Sequence, residues 1–233
     1  ELRLSIGTEV DTNVVATLDG TSFDPTAPGS YLHASIPYAI AAAYALVEWA
    51  PIPQLRFTAG ARLDWWTPLR SQTDAAGNPL DLSVVAPSPR ASVIWKPTRS
   101  DVVKLMGGRA FRAPSPYELF YNDGGYSQLA AIAVTGNVLR PETVVSGELE
   151  YSHHFDAEWT GLLAVFGQGA ESQVETGSTI DPADGLPKDY YRNSTVPIFT
   201  GGVDVDPACQ GPGRRRRPDR PGQRLLRLRL HQQ

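Results

Sequence analysis

Cysteine is almost missing from this chain. Cys209 stands alone, so no disulfide can close within it. Methionine is equally scarce, with Met106 its single representative. No stretch reaches 18 consecutive apolar residues, which excludes a membrane-spanning helix. The nearest approach, Ala39–Val47, is short and alanine-rich. A short soluble helix is its plain alternative, because Ala and Leu are good helix formers. No charged segment followed by an apolar one opens the chain, so no signal peptide is legible. Catalytic patterns are missing too: there is no GxSxG, HExxH, P-loop or CxxC. The sequence thus predicts no catalytic residue, no enzyme, no metal site and no cofactor.

Weaker signals do not alter that. His153 and His154 are neighbours, so on a strand they point to opposite faces and cannot share one ion. Glu150 and Asp156 are near enough in sequence to keep a metal site conceivable, but a histidine of the lumen or the interface is the simpler reading. Asp81 and Asn122-Asp123-Gly124 read as turn residues, since calcium needs more oxygens at fixed spacing.

The formal charge of −4 hides two populations. Eight arginines crowd Arg214–Arg229 beside one acid, Asp219. Without them the 21 basic and 25 acidic residues fall to 13 and 24, a net of −11 for residues 1–210. The body is acidic and the tail basic.

Period-2 alternation is what the body does have. In Gln54–Trp66 one parity carries Leu55, Phe57, Ala59, Ala61, Leu63 and Trp65. The other carries Gln54, Arg56, Thr58, Gly60, Arg62 and Asp64. Such a strand has one apolar and one polar face. It is long enough to cross a membrane as part of a barrel, which takes about 9–11 residues. A soluble sandwich strand would read the same. Val145, Gly147, Leu149, Tyr151 and Phe155 share a second apolar parity with His153, against Ser146, Glu148, Glu150 and Ser152. Arg109 breaks the pattern by sharing its parity with Leu105 and Phe111. We expect Leu55, Phe57, Leu63, Val93 and Leu149 to face outward, and Arg56, Arg62, Arg90 and Glu148 inward. With Asp64, Lys96 and Glu150 these would make a charged inner wall.

Connections alternate in length. Short turns fall at Pro51–Pro53, Pro97–Ser100 and Asp156–Glu158, and long ones at about Thr8–Pro37, Thr67–Pro87, Ala113–Thr143 and Gly169–Tyr190. Short turns on one rim and long loops on the other are the plan of an outer-membrane barrel. The five tryptophans fall at strand ends: Trp49, Trp95 and Trp159 beside short turns, Trp65 and Trp66 beside a long loop. This predicts aromatic girdles at the headgroup level. Tyr117, Phe120, Tyr121 and Tyr126 form an aromatic-rich set in one loop. They would either meet a ligand at the outer rim or pack on the barrel mouth.

One stretch is more specific. Phe111-Arg112-Ala113-Pro114-Ser115, then Glu118-Leu119, then Leu139-Arg140-Pro141-Glu142, then the alternating strand Val144–Phe155 follow in order. The order and spacing resemble the barrel of TonB-dependent outer-membrane receptors. Weaker similarity lies in Leu4–Glu9, Leu55–Trp65, Ser88-Pro89-Arg90, Asn193 and Gly201–Asp204. The resemblance covers about residues 2–205, and the family's plug and TonB box have no counterpart.

It implies an all-β fold: a partial antiparallel transmembrane β-barrel of about eight strands, over residues 1–205. It implies uptake of a scarce ligand, such as a ferric siderophore or cobalamin, across the outer membrane of a Gram-negative cell. The implied partners are the TonB energy-transducing complex, the imported ligand and the lipid bilayer, with no nucleic acid. Ligand-binding residues remain unassigned. A passive porin-like channel and a soluble β-rich binding or hydrolytic domain are the competing readings, the first without the F-R-A-P and L-x-P-E elements. The chain is expected to be a piece of a larger barrel. Residues 206–233 form a basic tail that would bind nucleic acid or anionic lipid, stay disordered, or be out-of-frame translation of a GC-rich gene. The abrupt end of the resemblance near Asp206 favours the last.

Overall fold

The computed structural model describes residues 1–22, 29–74, 76–123, 126–156, 159–209 and 226–231. Eight long strands make the wall: β1 (Leu2–Asn13), β4 (Tyr38–Ile52), β5 (Leu55–Pro68), β8 (Val84–Trp95), β9 (Asp101–Arg112), β12 (Glu142–His154), β13 (Trp159–Glu171) and β16 (Ile198–Cys209). They follow one another in chain order as antiparallel neighbours, and β17 (Leu226–His231) pairs with β16 as a ninth strand. The long loops carry small hairpins, β2 (Thr17–Ser22) with β3 (Gly29–Ser35), β6 (Gln72–Thr73) with β7 (Pro79–Leu80), β10 (Asn122–Asp123) with β11 (Tyr126–Ser127), and β14 (Val174–Ile180) with β15 (Pro187–Asn193). Two helices, α1 (Pro116–Leu119) and α2 (Gln128–Thr135), sit in the loop between β9 and β12.

The wall is therefore an all-β, antiparallel partial barrel, as the alternation led us to expect. Ala39–Val47 lies inside β4, not in a helix. Its alanines alternate between the two faces of the sheet, and cross-strand pairing overrides their helix preference. The bounds of the expected long loops shift: the first begins later, because β1 runs on to Asn13, and the second ends earlier, because β8 already starts at Val84. The turn at Asp156–Glu158 is placed between β12 and β13, though residues 157–158 lie outside the described ones.

Register makes the two faces explicit. Leu2, Trp49, Phe57, Val93, Leu105, Leu149, Val165 and Val203 are successive cross-strand partners, so one apolar row runs right across the wall. The next row carries Arg56, Ile94, Lys104, Glu150, Ala164 and Asp204 on the opposite face. A one-residue slip in any strand would put charge among the apolar side chains, so each register is strongly held.

One ladder is shorter than the rest. Between β8 and β9 pairing stops at Arg90 opposite Gly108. Beyond it lie Pro87 and Pro89, which still pair with β5. Their carbonyls face β9: Arg109 Nη1 donates to Pro87 O, and Pro89 O lies beside Gly108. Proline has no N–H to give on that side, so the ladder cannot continue. Arg109 fills the gap with its guanidinium. This resolves the misfit of an arginine on an apolar parity: it serves a carbonyl that the missing ladder leaves open.

The packed core is not in the wall but under the long loops. Ile36, Trp66, Leu82, Val84, Ala86, Leu119, Phe120 and Leu139 form it. Tyr38, Ile40, Leu80 and Phe111 pack around them. The loops thus fold down over one end of the wall. At the other end short turns join the strands, and the outward side chains are Trp49 stacked on Phe57 (5.4 Å), Trp95, Tyr151, His153, Phe155 and Trp159. Tyr151 donates to Asp101 (2.7 Å), and His153 Nδ1 lies 2.7 Å from the same carboxylate.

The girdle expectation holds for Trp49, Trp65, Trp95 and Trp159, each about half exposed on the outer face. It fails for Trp66. That ring is only 8% exposed and meets Tyr38 at 5.6 Å. Its parity turns it inward beneath the loops, where burial outweighs any gain at an interface. The expected tail lies mostly outside the described residues, and β16 itself continues past residue 205 to Cys209.

Candidate functional site

The long-loop end is where the chemistry-bearing side chains converge. The three sequence elements that stood out meet here at one guanidinium. Arg112, at the top of β9, donates through Nη1 and Nη2 to both oxygens of Glu118, at 3.0 and 2.9 Å. Its Nε donates to Glu142 at 2.6 Å. A planar fork between two carboxylates is a geometry that lysine cannot copy.

Local rules explain why Glu118 stands there. Ser115 caps α1 and accepts from the Glu118 N–H, while the Glu118 carboxylate accepts from the Ser115 N–H at 2.6 Å. This is a capping box, and Pro116 at the first helical position suits it. Burial works against ionising Glu118, but the Arg112 guanidinium and the two Ser115 donors outweigh it and hold the carboxyl below its ordinary value. Leu119 and Leu139, the apolar members of the same elements, both enter the core. The motif order seen in the sequence is thus the parts list of one junction between wall and loop.

From this junction the contacts pass to the next loop. Glu142 Oε1 accepts from the Val174 N–H, at 2.7 Å, where β14 begins. Asn193 at the end of β15 accepts from the Arg140 N–H (2.7 Å) and donates to the carbonyls of Arg140 (2.9 Å) and Ser172 (2.6 Å). A cavity of about 1100 Å³ opens beside these residues, lined among others by Asp81, Arg140, Glu171, Glu175, Arg192 and Asn193.

The aromatic loop set divides. Phe120 is in the core, and Tyr126 packs in a second cluster with Ala131 and Tyr190. Burial raises the Tyr126 hydroxyl above its ordinary value, and that hydroxyl has no hydrogen-bond partner among the described residues. Tyr117 and Tyr121 stay nearer the surface and meet edge to face at 5.7 Å. Tyr191 from β15 completes the group, 6.3 Å from Tyr117 and 5.1 Å from Tyr121. Sequence reasoning missed Tyr191 because it belongs to another loop. The only signal was its place in the Tyr190-Tyr191 pair.

The charges expected on the inner wall, Lys96 apart, lie on the lumen-facing parity, and Arg62, Asp64 and Glu150 are matched. Arg62 Nε donates to Asp64 (2.7 Å) and Nη1 to Glu9 (2.8 Å). Lys104 donates to Glu150 at 2.6 Å. Arg90 and Glu148 line a mid-height recess of about 690 Å³ with Leu46, Met106 and Phe166. Arg56 lies beside Arg3 and Glu48 at the short-turn end. Lys96 falls in the turn after β8, outside the wall proper. His153 and His154 point apart, to Asp101 and to Thr160. Among the described residues no group of three metal-ligating side chains occurs.

A polar inner face, an apolar outer face and loops folded over one mouth define a receptor-type membrane barrel. The family described as TonB dependent receptor-like, beta-barrel matches residues 2–203. The chain belongs to that family, one of receptors and transporters rather than enzymes, whose members are outer-membrane proteins. Among solved structures it is similar to the copper transporter OprC, at 14% identity and a TM-score of 0.62, covering 91% of this chain and 33% of the other. The siderophore receptor PirA from Acinetobacter baumannii gives 17% identity and 0.54, covering 88% and 31%. A G324V mutant of the ferric enterobactin receptor PfeA from Pseudomonas aeruginosa gives 19% and 0.56, covering 88% and 30%. The chain spans about a third of the length of these structures. No curated protein sequence matches it.

Proposed function

We propose that this chain forms part of the wall and loop-covered mouth of an outer-membrane receptor for TonB-driven import of a scarce ligand, such as a ferric siderophore or cobalamin. The observation that carries this reading is the Arg112 junction. It ties wall strands β9 and β12 to a loop folded over the mouth, from residues in the order that the receptor family uses. A channel for passive flow has no need of such a covered entrance. The likeness to structures named for copper, siderophores and ferric enterobactin supports a ligand in the class of small metal-bearing compounds. Partners on this reading are the TonB complex below and the lipid around the wall.

The test is uptake. A receptor containing this chain is produced in a Gram-negative host stripped of its own siderophore receptors, and uptake of iron-55 siderophores and of cobalt-57 cobalamin is followed. Uptake that disappears on deleting TonB supports the proposal. Uptake that survives deletion makes the barrel a passive channel, and recovery of the chain in the soluble fraction makes it a soluble domain.

We also propose that the tail beyond β16, residues 210–233, has no part in uptake, as its change of composition suggests. Full uptake by a receptor cut after residue 210 supports this, and lost uptake assigns the segment to the barrel.

A further inference from the structure

The two loops on either side of β12 and β13 are joined by side chains that imitate backbone. Gln128, at the start of α2, is wholly buried. Its Nε2 donates to Tyr191 O (2.7 Å), and its Oε1 accepts from Tyr191 N (2.9 Å). A primary amide presents a donor and an acceptor side by side, as the N–H and C=O of one strand residue do, so Gln128 pairs with β15 as one residue of a neighbouring strand would. Asn193 makes the reciprocal tie two residues later. It takes the N–H and carbonyl of Arg140, on the first loop, and the Ser172 carbonyl, on the second. Glu142 makes a third with the Val174 N–H. The tyrosine group of Tyr117, Tyr121 and Tyr191 bridges the same line.

We infer that residues 113–123 and 126–141 of the loop before β12 and the hairpin β14–β15 behave as one rigid lid, moving or staying together over the mouth, with Gln128 and Asn193 as its clamps. The buried Gln128 amide carries this. Parting the loops would leave the buried Gln128 amide and the Tyr191 backbone groups unpaired, and an unmet buried polar group is costly; the more exposed bonds between Asn193 and Arg140 would break with them. Independent flaps would lack a buried, doubly hydrogen-bonded tie such as that of Gln128 to Tyr191. The surface tyrosine patch is then assembled from two loops, and its geometry lasts only while the clamps hold. This holds whatever the barrel imports.

Hydrogen exchange on the full chain in detergent micelles tests it. In Gln128→Ala and, separately, in Asn193→Ala, exchange is expected to rise in both loops, about tenfold or more in the first, the size set by one unmet buried hydrogen bond, and by less in the second, since the bonds of Asn193 to Arg140 are exposed. The Tyr191 amide should lead in the first variant. The two changes together should add little beyond Gln128→Ala alone, as members of one unit do. Ser178→Ala, at the far end of β14, should leave 113–141 unchanged. If Gln128→Ala loses the strand signal in circular dichroism, Gln128→Glu is read in its place, since it keeps the shape and an acceptor but not the donor to Tyr191 O. Faster exchange in the mutated loop alone, in either variant, would overturn the inference.

Discussion

The wall keeps its large apolar side chains outside, with Leu149 at 49% and Val145 at 57% exposed, whereas the loops over the mouth bury theirs, with Ile36 at 1%. The same residue types are sorted in opposite directions within one chain. Lipid is the solvent of the wall, so apolar groups gain there by facing out, and charges gain by facing the wet lumen. Water is the solvent of the loops, so they need a conventional core and meet it between themselves and the wall's upper end. Polar groups follow the same division. Wall charges pair across strands, as Lys104 does with Glu150. Loop amides instead pair with backbone, as Gln128 and Asn193 do.

Adjacent tryptophans offer the sharpest way to break this comparison. Trp66→Ala empties the core under the loops and should cost about 3–5 kcal/mol, the usual range for a buried aromatic. Trp65→Ala removes an outward ring and should cost less. Urea titrations of the two variants in micelles decide the matter, and equal losses would mean that Trp66 does not anchor the core. Next in size is Leu149→Arg. An arginine facing lipid near mid-height should cost about 2–4 kcal/mol in vesicles. Glu148→Arg, one residue away on the lumen face, should cost far less. A reversed order would mean that the faces are assigned backwards.

The junction should make loop stability depend on pH. The Glu118 carboxyl is lowered in the folded state, so the unfolded chain takes up its proton first. Its contribution is complete above the ordinary value of 4.5 and is lost as pH falls from there through the folded value. The unfolding midpoint of the loops, followed by exchange of 113–141, should therefore drop across that window in the parent and stay flatter in Glu118→Gln. The smallest effect is expected from Lys188→Ala. Its partner Asp184 is half exposed, at 3.3 Å and four residues away, and such pairs are worth about 0–1 kcal/mol. A thermal midpoint clearly below the parent's would give that hairpin tip a weight that its contacts do not suggest.

Much of this molecule is local enough to read from its residues. Side chains alternate along a strand with period 2, so the order of Leu55, Arg56 and Phe57 already assigns the faces. Loop lengths and turn residues between strands likewise distinguish the two rims before any pairing is known. The run from Phe111 to Glu142 carries its family in residue order alone. What only the tertiary structure decided involves partners distant in sequence. That Arg112 reaches Glu118 and Glu142 together depends on the register of β9 with β12. That Trp66 is core while Trp65 is girdle depends on where the loops fold back. That Gln128 clasps Tyr191, 63 residues away, has no trace in either segment's own pattern. Periodicity is a property of one strand, but a meeting between loops is set by how several strands hold them, and no single segment carries that information.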